Sequence, residues 1–553
     1  MLINSLNIKN KKYSFYLFLS LILIFAASLR FYQLGGIPFG LANDEAGYIY
    51  SAYSIFRTGR DPTGKLFPLS INLDNSFSPV YIYVTAPFVG ILGLSPFTGR
   101  LPFTLAGIGS IWILALLVRK LFKNGKIALL SALVLTVSPW HFHISRAAFD
   151  ANFALFFYLL GIYLFVRSIE NNRNIIFSLL ALFLAFYSYH ATKIFFIFLI
   201  PVLLYVYKSQ LLSRKRQMFI FIFGCGLILA SFLYVGKIQG ASSRASVLLF
   251  NKEEIKKASK MVNWERDKNT APFFLRRIFN NKALYFLRVI KENYLEAFSP
   301  QYLFLYGDTY GLPYASPYFR GQMYIIELPL LFLGLLFLSR VKNDCLKKLW
   351  VLLLLIAPLP SAFNSDRTYV FRSVMMLPIL SGLVGAGIYL FLEKLKDHSG
   401  LSYYLLKGTF LAIYLFLIMS YFFQYFYRYS VYGAEGWFRS SRELSEFLSR
   451  EKYKYREIYV VNAGPMFIFQ YAIFNRIDPN VVMSAWKSSY PKKLERITLL
   501  SGCLNEGIGD PHTFLSQSTL YITPDECHVD IPPDRRISDF GEPLRTIWKI
   551  YIK

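Results

Sequence analysis

Two adjacent acids, Asp44 and Glu45, follow the first long apolar run in the segment GIPFGLANDEAGYIY. A carboxylate within hydrogen-bond reach of an attacking hydroxyl can take its proton, so either acid could act as a general base. A third acid, Asp150, lies in the segment SRAAFDAN after a later apolar run. Each acid also has a structural alternative, because acids are common in turns and as helix N-caps. The candidate catalytic residues are therefore Asp44, Glu45 and Asp150.

The elements that position these acids belong to a very apolar chain. Its 553 residues are 55% hydrophobic and 18% aromatic, and the apolar residues recur in long runs separated by short basic clusters. This pattern is typical of a polytopic membrane protein, because one crossing needs ~20 mostly apolar residues. The formal charge of +27 suits loops that orient the chain and face lipid headgroups, so it does not indicate nucleic acid. Residues 13–31 are interpreted as an uncleaved first span, since many further runs follow.

The basic clusters predict the topology. If six of them are cytoplasmic, each successive pair encloses an even number of crossings. The N-terminus is then inside and the C-terminus outside. The run 79–94 is interrupted by Pro87, Gly90 and Gly93, and it is predicted to lie in the outer interface without crossing. The eleven predicted crossings are 13–31, 101–118, 127–140, 151–166, 175–189, 193–207, 217–235, 323–339, 349–363, 373–392 and 403–424.

Several external segments follow from this topology. A first loop covers residues 32–100 and a second covers residues 236–322, and the block 175–207 is predicted to be a tight hairpin around SYHATK. After the last crossing the chain alternates helix-like pieces with strand-like ones, which predicts a small α/β domain. The expected fold class is an α-helical polytopic membrane protein with two parts: a transmembrane domain, 1–424, and an extracytoplasmic α/β domain, 425–553.

Ionisable residues from six external segments fall on one side of the membrane in this topology. A charge at the end of a span is often only an interfacial anchor. Acids and bases that converge from several loops are harder to explain in that way, and they predict a site at the outer face. A transporter or lipid-linked glycan flippase is the alternative, although transporters tend to place charges near mid-membrane and to show inverted repeats. The charged candidates are Asp44, Glu45, Arg100, Arg146, Asp150, His190, Lys193, Asp308, Asp366, Arg367 and Arg372.

Five short motifs resemble, in order and spacing, the GT-C-fold membrane glycosyltransferases. They are DEAGY, LSPFTGRLPFTLAG, SPWHFHISRAAFDANFALFF, YSYHATK and SDRTYVFRSVMMLP. The resemblance covers about residues 10–425 and is greatest to the group of protein O-mannosyltransferases and lipid A aminoarabinose transferases. Members of that group pass a sugar from a polyprenyl-phosphate carrier to an acceptor at the outer face. The resemblance implies a GT-C fold and sugar transfer to a lipid, glycan or protein acceptor.

The resemblance also implies roles for single residues. Asp44 matches the family's proposed catalytic base, Asp150 its second functional acid, and Arg100 an arginine at the start of the second span. Tyr369 stands where close relatives often have a histidine, so the role of that histidine does not transfer. The Trp-Trp-Asp motif of oligosaccharyltransferases is absent from the sequence, which argues against transfer of a preassembled glycan to asparagine.

The chemistry of such a transfer needs a base and several cations. The phosphate leaving group needs little acid help, but the acceptor must lose a proton, and negative charge grows on the departing phosphate. Arg and Lys side chains can hold that phosphate and stabilise its charge. The expected reaction inverts the sugar. The candidate phosphate-binding residues are Arg100, Lys193, Arg367 and Arg372, with Arg146, His190, Asp308 and Tyr369 as further site candidates.

The cysteines and acids leave two questions open. No cluster has metal-ligand spacing, although the acids could recruit a divalent ion. Cys503 and Cys527 both fall in the predicted outer domain, so we expect a disulfide between them, with two unpaired thiols as the alternative. The predicted location is the plasma or inner membrane.

Overall fold

The computed structural model describes residues 2–553 except 74–75, 240–248, 310–313, 318–319, 366–368, 398–399, 504–510, 514 and 539–545. Its regular structure is mostly helical. The first half of the chain forms helices α1 Leu2–Phe31, α2 Asn43–Thr58, α3 Pro79–Ile91, α4 Pro96–Phe122, α5 Gly125–Val137, α6 Pro139–Ile144, α7 Asp150–Ser168, α8 Asn174–Phe186, α9 Thr192–Val206, α10 Lys208–Leu212, α11 Lys215–Gln239 and α12 Lys252–Asp267. The second half forms α13 Phe273–Phe279, α14 Lys282–Glu296, α15 Glu327–Arg340, α16 Asp344–Ile356, α17 Leu359–Ala362, α18 Tyr369–Arg372, α19 Met376–Leu395, α20 Gly400–Phe423, α21 Tyr429–Tyr432, α22 Arg439–Glu451, α23 Phe467–Asn475 and α24 Pro479–Lys487. The strands are β1 Ile71–Asn72, β2 Ser76–Phe77, β3 Glu457–Val461, β4 Lys492–Leu494, β5 Ile497–Leu500, β6 Thr519–Pro524, β7 Arg535–Ser538 and β8 Thr546–Ile552.

Each of the eleven predicted crossings coincides with a helix. In the described part of the chain, seven helices are long and apolar enough to cross a membrane: Tyr13–Phe31, Pro96–Phe122, Asp150–Ser168, Lys215–Val235, Asp344–Ala362, Met376–Leu395 and Gly400–Tyr432. The other four predicted crossings are the shorter helices α5, α8, α9 and α15. The predicted non-crossing run forms α3, which has 13 residues. Helices α5 and α8 have the same length, so helix length does not separate α3 from the predicted crossings.

The chain divides into two compact units. The helical unit contains residues 1–32 and 103–422, and the α/β unit contains residues 33–102 and 423–553. The first predicted loop therefore groups with the C-terminal part of the chain, whereas the sequence placed it with the transmembrane domain. Its contacts within the α/β unit explain this: the Tyr50 hydroxyl donates to the Ile477 carbonyl (2.8 Å), and the Gln470 amide donates to the Leu41 carbonyl (3.0 Å).

Helix α19 lies at the centre of the helical unit and approaches two neighbours closely. A Cβ at Gly387 would lie 1.9 Å from the Leu330 carbonyl oxygen of α15, and a Cβ at Gly385 would lie 2.4 Å from the Ser131 hydroxyl of α5. Small residues permit such close helix contacts in membranes, where dispersion forces drive packing. The two glycines therefore fix α19 between α15 and α5.

One end of the helical unit carries several of the segments that join its helices. We call this end the loop face and define it by the described residues of 138–150, 187–193, 297–326 and 357–375. The Trp140 indole donates to the Val370 carbonyl (2.9 Å), and the Tyr324 hydroxyl donates to the Val137 carbonyl (2.8 Å). These long-range bonds hold segments from different parts of the sequence together.

The C-terminal part of the α/β unit contains a six-stranded mixed sheet, consistent with the small α/β domain that the sequence predicts. Its order is β4-β5-β3-β6-β8-β7, with β3 parallel to both β5 and β6 and the remaining pairs antiparallel. The central strands read EIYVV and TLYITP, and such apolar strands suit a sheet with both faces covered. The predicted disulfide between Cys503 and Cys527 is confirmed, with the two Cα atoms 5.4 Å apart.

Candidate functional site

Glu45 and Arg100 form a buried ion pair in the α/β unit. Arg100 Nε lies 2.8 Å from Glu45 Oε1, and Arg100 Nη2 lies 3.0 Å from Glu45 Oε2. The remaining guanidinium donors reach the carbonyl oxygens of Leu34 (3.1 Å), Pro38 (3.0 Å) and Gly40 (2.7 Å). All five donors of the guanidinium thus have acceptors within the protein. The predicted phosphate-binding role of Arg100 is not supported by this geometry, because Arg100 instead fixes the first turn of α2 to the preceding segment.

Asp44 lies beside this pair, in the first turn of α2. Ala42 caps the helix without a side-chain hydrogen bond, and its carbonyl accepts from the Ala46 amide (2.9 Å). The partial positive charge at a helix N-terminus favours carboxylates in the first turn. Glu45 is buried against Arg100, whereas Asp44 is half-buried. Asp44 is therefore the more exposed acid of the two.

Aromatic packing holds α2 in place behind Asp44. The Tyr48 ring lies 4.6 Å from the Phe77 ring and 4.5 Å from the Tyr81 ring, measured between centroids. Phe77 belongs to the short hairpin β1–β2, and Tyr81 belongs to α3. The first predicted loop is thus a packed structure, so it can hold a carboxylate in a defined position.

The loop face of the helical unit brings Asp150 and Arg372 into one neighbourhood. Asp150 begins α7 directly after Phe149, and Arg372 ends α18 directly after Phe371. The rings of Phe149 and Phe371 lie 4.6 Å apart. Both Asp150 and Arg372 are buried. An acid and an arginine separated by more than two hundred residues in the sequence therefore lie on adjoining segments.

Asp308 positions the segment that carries Arg372. Its Oδ2 accepts hydrogen bonds from the backbone amides of Tyr369 (2.7 Å) and Val370 (2.9 Å). These amides lie in the first turn of α18, where N–H groups have no partner within the helix. The buried Tyr369 hydroxyl lies 3.5 Å from the Asn293 side-chain oxygen. Asp308 therefore acts on the neighbouring short helix.

Lys193 and His190 form a close pair at the turn between α8 and α9, where the sequence predicts a hairpin. The Lys193 ammonium donates to His190 Nδ1 at 2.9 Å. The same Nζ lies 5.5 Å from the centroid of the Phe186 ring and 5.0 Å from that of the Phe232 ring. Ring faces favour a cation, most strongly when water is excluded. The pair therefore presents a largely buried cation at the loop face.

Arg146 holds the end of α1, and it leads to a residue that sequence reasoning missed. Its Nη1 donates to the carbonyls of Leu29 (3.0 Å) and Arg30 (2.8 Å), which are acceptors left over at a helix C-terminus. Arg30 is fully buried and donates through Nε to the Ser145 hydroxyl (2.9 Å). Arg30 could have been identified from the sequence, because it is a charged residue within an apolar run and charged residues are uncommon in membrane spans.

Two buried histidines follow α5 and were not singled out from the sequence. Arg30 Nη2 lies 2.9 Å from His141 Nδ1, and His143 Nε2 lies 2.8 Å from the Tyr314 carbonyl oxygen. Burial lowers the pKa of His143 to about 4. Burial and the Arg30 charge hold the pKa of His141 well below its usual value. Both imidazoles are therefore neutral near pH 7 and serve as hydrogen-bonding groups.

Two remaining predictions concern Arg367 and a metal. Arg367 lies outside the described residues. Within the residues that are described, no group of three or more His, Cys, Asp or Glu side chains is arranged to hold a metal ion.

The chain is similar to one protein family in sequence and to solved structures in fold. Residues 76–235 match the family model of the dolichyl-phosphate-mannose-protein mannosyltransferases. The structure of ArnT from Cupriavidus metallidurans bound to undecaprenyl phosphate matches with a TM-score of 0.50 and 11% identity, over 97% of this chain and 97% of that chain. No curated protein matches the chain significantly in sequence.

A second solved structure is the archaeal oligosaccharyltransferase AglB from Archaeoglobus fulgidus, in complex with an inhibitory peptide and a dolichol-phosphate. It is 13% identical, with a TM-score of 0.46 over 84% of this chain, and the chain spans 64% of the length of AglB. The likeness to ArnT, over nearly all of both chains, shows the fold. The chain therefore has the GT-C fold that the sequence predicts, and the resemblance to membrane sugar transferases is confirmed.

Proposed function

We propose that the chain is an integral membrane glycosyltransferase that moves a sugar from a polyprenyl-phosphate carrier to a hydroxyl or amine of an acceptor. The observation that carries the proposal is the coincidence of two findings on one chain. Its fold matches, end to end, a protein whose structure holds undecaprenyl phosphate, and residues 76–235 match a family named for a dolichyl-phosphate sugar donor. The acceptor is a lipid, a glycan or a protein.

In the proposed reaction the acceptor oxygen or nitrogen forms a bond to the anomeric carbon as the bond from that carbon to the phosphate oxygen breaks. The acceptor proton passes to the Asp44 carboxylate, and the polyprenyl phosphate leaves with the bonding electrons. Attack opposite the leaving group inverts the sugar. The Glu45–Arg100 pair supports this step indirectly, because it fixes the turn of α2 that carries Asp44.

Cations at the loop face stabilise the departing phosphate in this proposal. Lys193 and Arg372 are buried there, and a cation is worth more to a growing negative charge where water is scarce. Asp308 sets the position of Arg372 through the first turn of α18. Asp150 is the second functional acid and orients the acceptor or a neighbouring arginine. Arg367 completes the set by its position in the sequence motif.

The proposed orientation places the N-terminus in the cytoplasm and the α/β unit outside a plasma or inner membrane. It rests on the basic clusters that separate the apolar runs. Cysteine labelling from either side of sealed membranes tests it at positions near 97, 122 and 435, with expected results outside, inside and outside. An inside result near 97 contradicts the eleven-crossing topology.

The activity itself is tested by incubating the purified protein with a panel of radiolabelled polyprenyl-phosphate sugars and candidate acceptors. Release of free polyprenyl phosphate together with labelled acceptor is the expected result. A transporter or flippase would move the intact sugar-phosphate lipid between leaflets without releasing the sugar. If the protein moves a fluorescent donor between the leaflets of vesicles without hydrolysing it or transferring its sugar, the protein is a transporter and not a glycosyltransferase.

A further inference from the structure

The segment 252–296 of the helical unit forms a hairpin of α12 and α14, with the short helix α13 between them. The two long helices pack through a small apolar core of Leu249, Ala258 and Phe286. The turn is closed by Arg266 Nε, which donates to the Asn280 carbonyl (2.7 Å). We call residues 268–282 the tip. This hairpin therefore holds the tip in a defined conformation.

None of the residues of α13 is buried. Phe273, Phe274 and Phe279 are 64%, 70% and 65% exposed, and Leu275 and Ile278 are exposed as well. A helix of seven residues is not stable on its own in water and needs packing of an apolar face. Within the described chain this apolar face has no such packing, and a cluster of exposed apolar side chains marks a contact surface for an apolar environment.

The charges of the tip indicate what that environment is. Residues 268–282 contain four basic residues, Lys268, Arg276, Arg277 and Lys282, and no acidic residue. The Arg277 guanidinium lies 4.5 Å from the centroid of the Phe273 ring. Phenylalanines interleaved with arginine and lysine are typical of helices that lie in the boundary between headgroups and acyl chains. Basic residues there attract anionic lipids.

The base of the hairpin is fixed to a membrane-crossing helix. The Tyr294 hydroxyl donates to the Leu355 carbonyl (2.9 Å), and the Asn293 amide donates to the Asn364 carbonyl (3.0 Å). Leu355 lies inside the crossing Asp344–Ala362, and its side chain is 48% exposed, as expected for contact with lipid. The C-terminal end of α14 therefore lies at the level of the membrane boundary.

An apolar stripe connects this base with the tip. Leu284, Leu287 and Leu295 are all exposed on α14, and their spacing places them along one side of the helix. Lys291 lies between Leu287 and Leu295 in the sequence and has a long stem that can reach a headgroup. Arg288 instead pairs with Glu265 (3.0 Å). The stripe thus continues the apolar surface of the tip toward the crossing helix.

We propose that the tip is a membrane-docking element that inserts Phe273, Phe274 and Phe279 into the adjoining leaflet and binds anionic headgroups through Arg277 and Lys282. This interaction goes beyond the proposed sugar transfer and does not depend on it. It anchors the hairpin at a second point, far from the bonds of Tyr294 and Asn293.

A spin label reports the docking directly in the full-length protein. A background with Cys225→Ala and Cys345→Ala removes the free thiols and keeps the disulfide. A nitroxide is then placed at Phe274→Cys or at the exposed charged position Lys256→Cys in α12. In nanodiscs, the label at 274 is expected to be more accessible to oxygen than to a water-soluble nickel complex, and the label at 256 is expected to show the reverse.

Two results would overturn the proposal. Equal nickel accessibility at 274 and 256 means that the tip lies in water. A label at 274 that is immobile and shielded from both reagents means that a protein surface, from a partner or a second copy, covers the tip. Thermal unfolding of each labelled variant ensures that the comparison is made on folded protein.

The lipid preference is tested in the same assay with phosphatidylcholine nanodiscs and with nanodiscs that also contain phosphatidylglycerol. The nitroxide at 274 is expected to lie deeper with the anionic lipid. The double change Arg277→Ser and Lys282→Ser should abolish that difference, whereas the matched change Lys252→Ser and Lys260→Ser in α12 should leave it. An unchanged lipid dependence in the tip variant contradicts the role of the two basic residues.

Discussion

The carboxylate of Glu45 and the guanidinium of Arg100 share two hydrogen bonds, of 2.8 Å and 3.0 Å, in a site closed to solvent. The remaining donors of Arg100 hold three backbone carbonyls of the segment before α2. Asp44 precedes Glu45 in the same turn. Glu45 therefore has a structural role, and its fixed position determines where the neighbouring Asp44 can act.

The change Glu45→Gln should destabilise the protein strongly. It leaves the Arg100 charge buried without its counter-ion, which typically costs about 3–5 kcal/mol. Thermal unfolding in detergent should show a much lower midpoint than for the wild type, whereas the neighbouring change Asp44→Asn should shift the midpoint little. A Glu45→Gln variant as stable as the wild type would contradict the structural role of the pair.

Lys193 and Arg372 should contribute to donor affinity. Loss of one charge-assisted hydrogen bond to a phosphate typically costs about 1.5–3 kcal/mol, or roughly 10- to 100-fold in Kd. Binding of polyprenyl phosphate by Lys193→Gln and by Arg372→Gln should weaken by that factor, and Lys193→Arg should retain more affinity than Lys193→Gln. The control Lys120→Gln removes a basic residue that pairs with Glu170 and should bind normally. Unchanged Kd values in both test variants would exclude these residues as phosphate ligands.

Asp308 should act as a positioning residue for α18. Asp308→Asn keeps an oxygen that can accept from the Tyr369 and Val370 amides, whereas Asp308→Ala leaves both amides without it. We expect weaker donor binding and a lower unfolding midpoint for the alanine variant, with the asparagine variant near the wild type. Equal loss in both variants would mean that the negative charge itself is required.

The buried His143 should make stability depend on pH. Its pKa is about 4 in the folded chain and near 6.5 when exposed, so between these values the unfolded chain holds a proton that the folded chain lacks. The contribution of neutral His143 to the free energy of unfolding is therefore fully present above about pH 6.5. It is lost as the pH drops, by about 2 kcal/mol between pH 7 and pH 5. His143→Gln keeps a donor for the Tyr314 carbonyl and should reduce this slope. Identical slopes in both proteins would exclude His143 as the cause.

Much of the fold could be predicted because its determinants are local. Apolar runs predicted the helices at all eleven places, and the strand-like pieces of the C-terminal part coincide with strands such as β3, β6 and β8. The helical hairpin around His190 also followed from one interrupted apolar block. These elements needed only length and periodicity.

The site could be predicted only as a set of candidates, because its roles depend on distant contacts. Glu45 and Arg100 are 55 residues apart, and Asp308 and Tyr369 are 61 apart. No pattern in the sequence predicts that Arg100 donates its hydrogen bonds to Glu45 and to backbone carbonyls. No pattern predicts that Asp308 accepts hydrogen bonds from the backbone of another segment. The grouping of residues 33–102 with the C-terminal part rests on bonds such as Tyr50 to Ile477, which are 427 residues apart.

In the proposed reaction, Asp44 takes the proton of the acceptor. Asp44→Asn keeps the size of the side chain and removes the proton acceptor, and loss of a general base typically lowers the rate ~10²- to 10⁴-fold. The measurement is the single-turnover rate of sugar transfer by the purified variant at saturating donor, with the Kd for polyprenyl phosphate measured separately. If Asp44 is the base, the variant should have a rate lower by that factor and an unchanged Kd. Transfer by Asp44→Asn at the wild-type rate would contradict this role of Asp44.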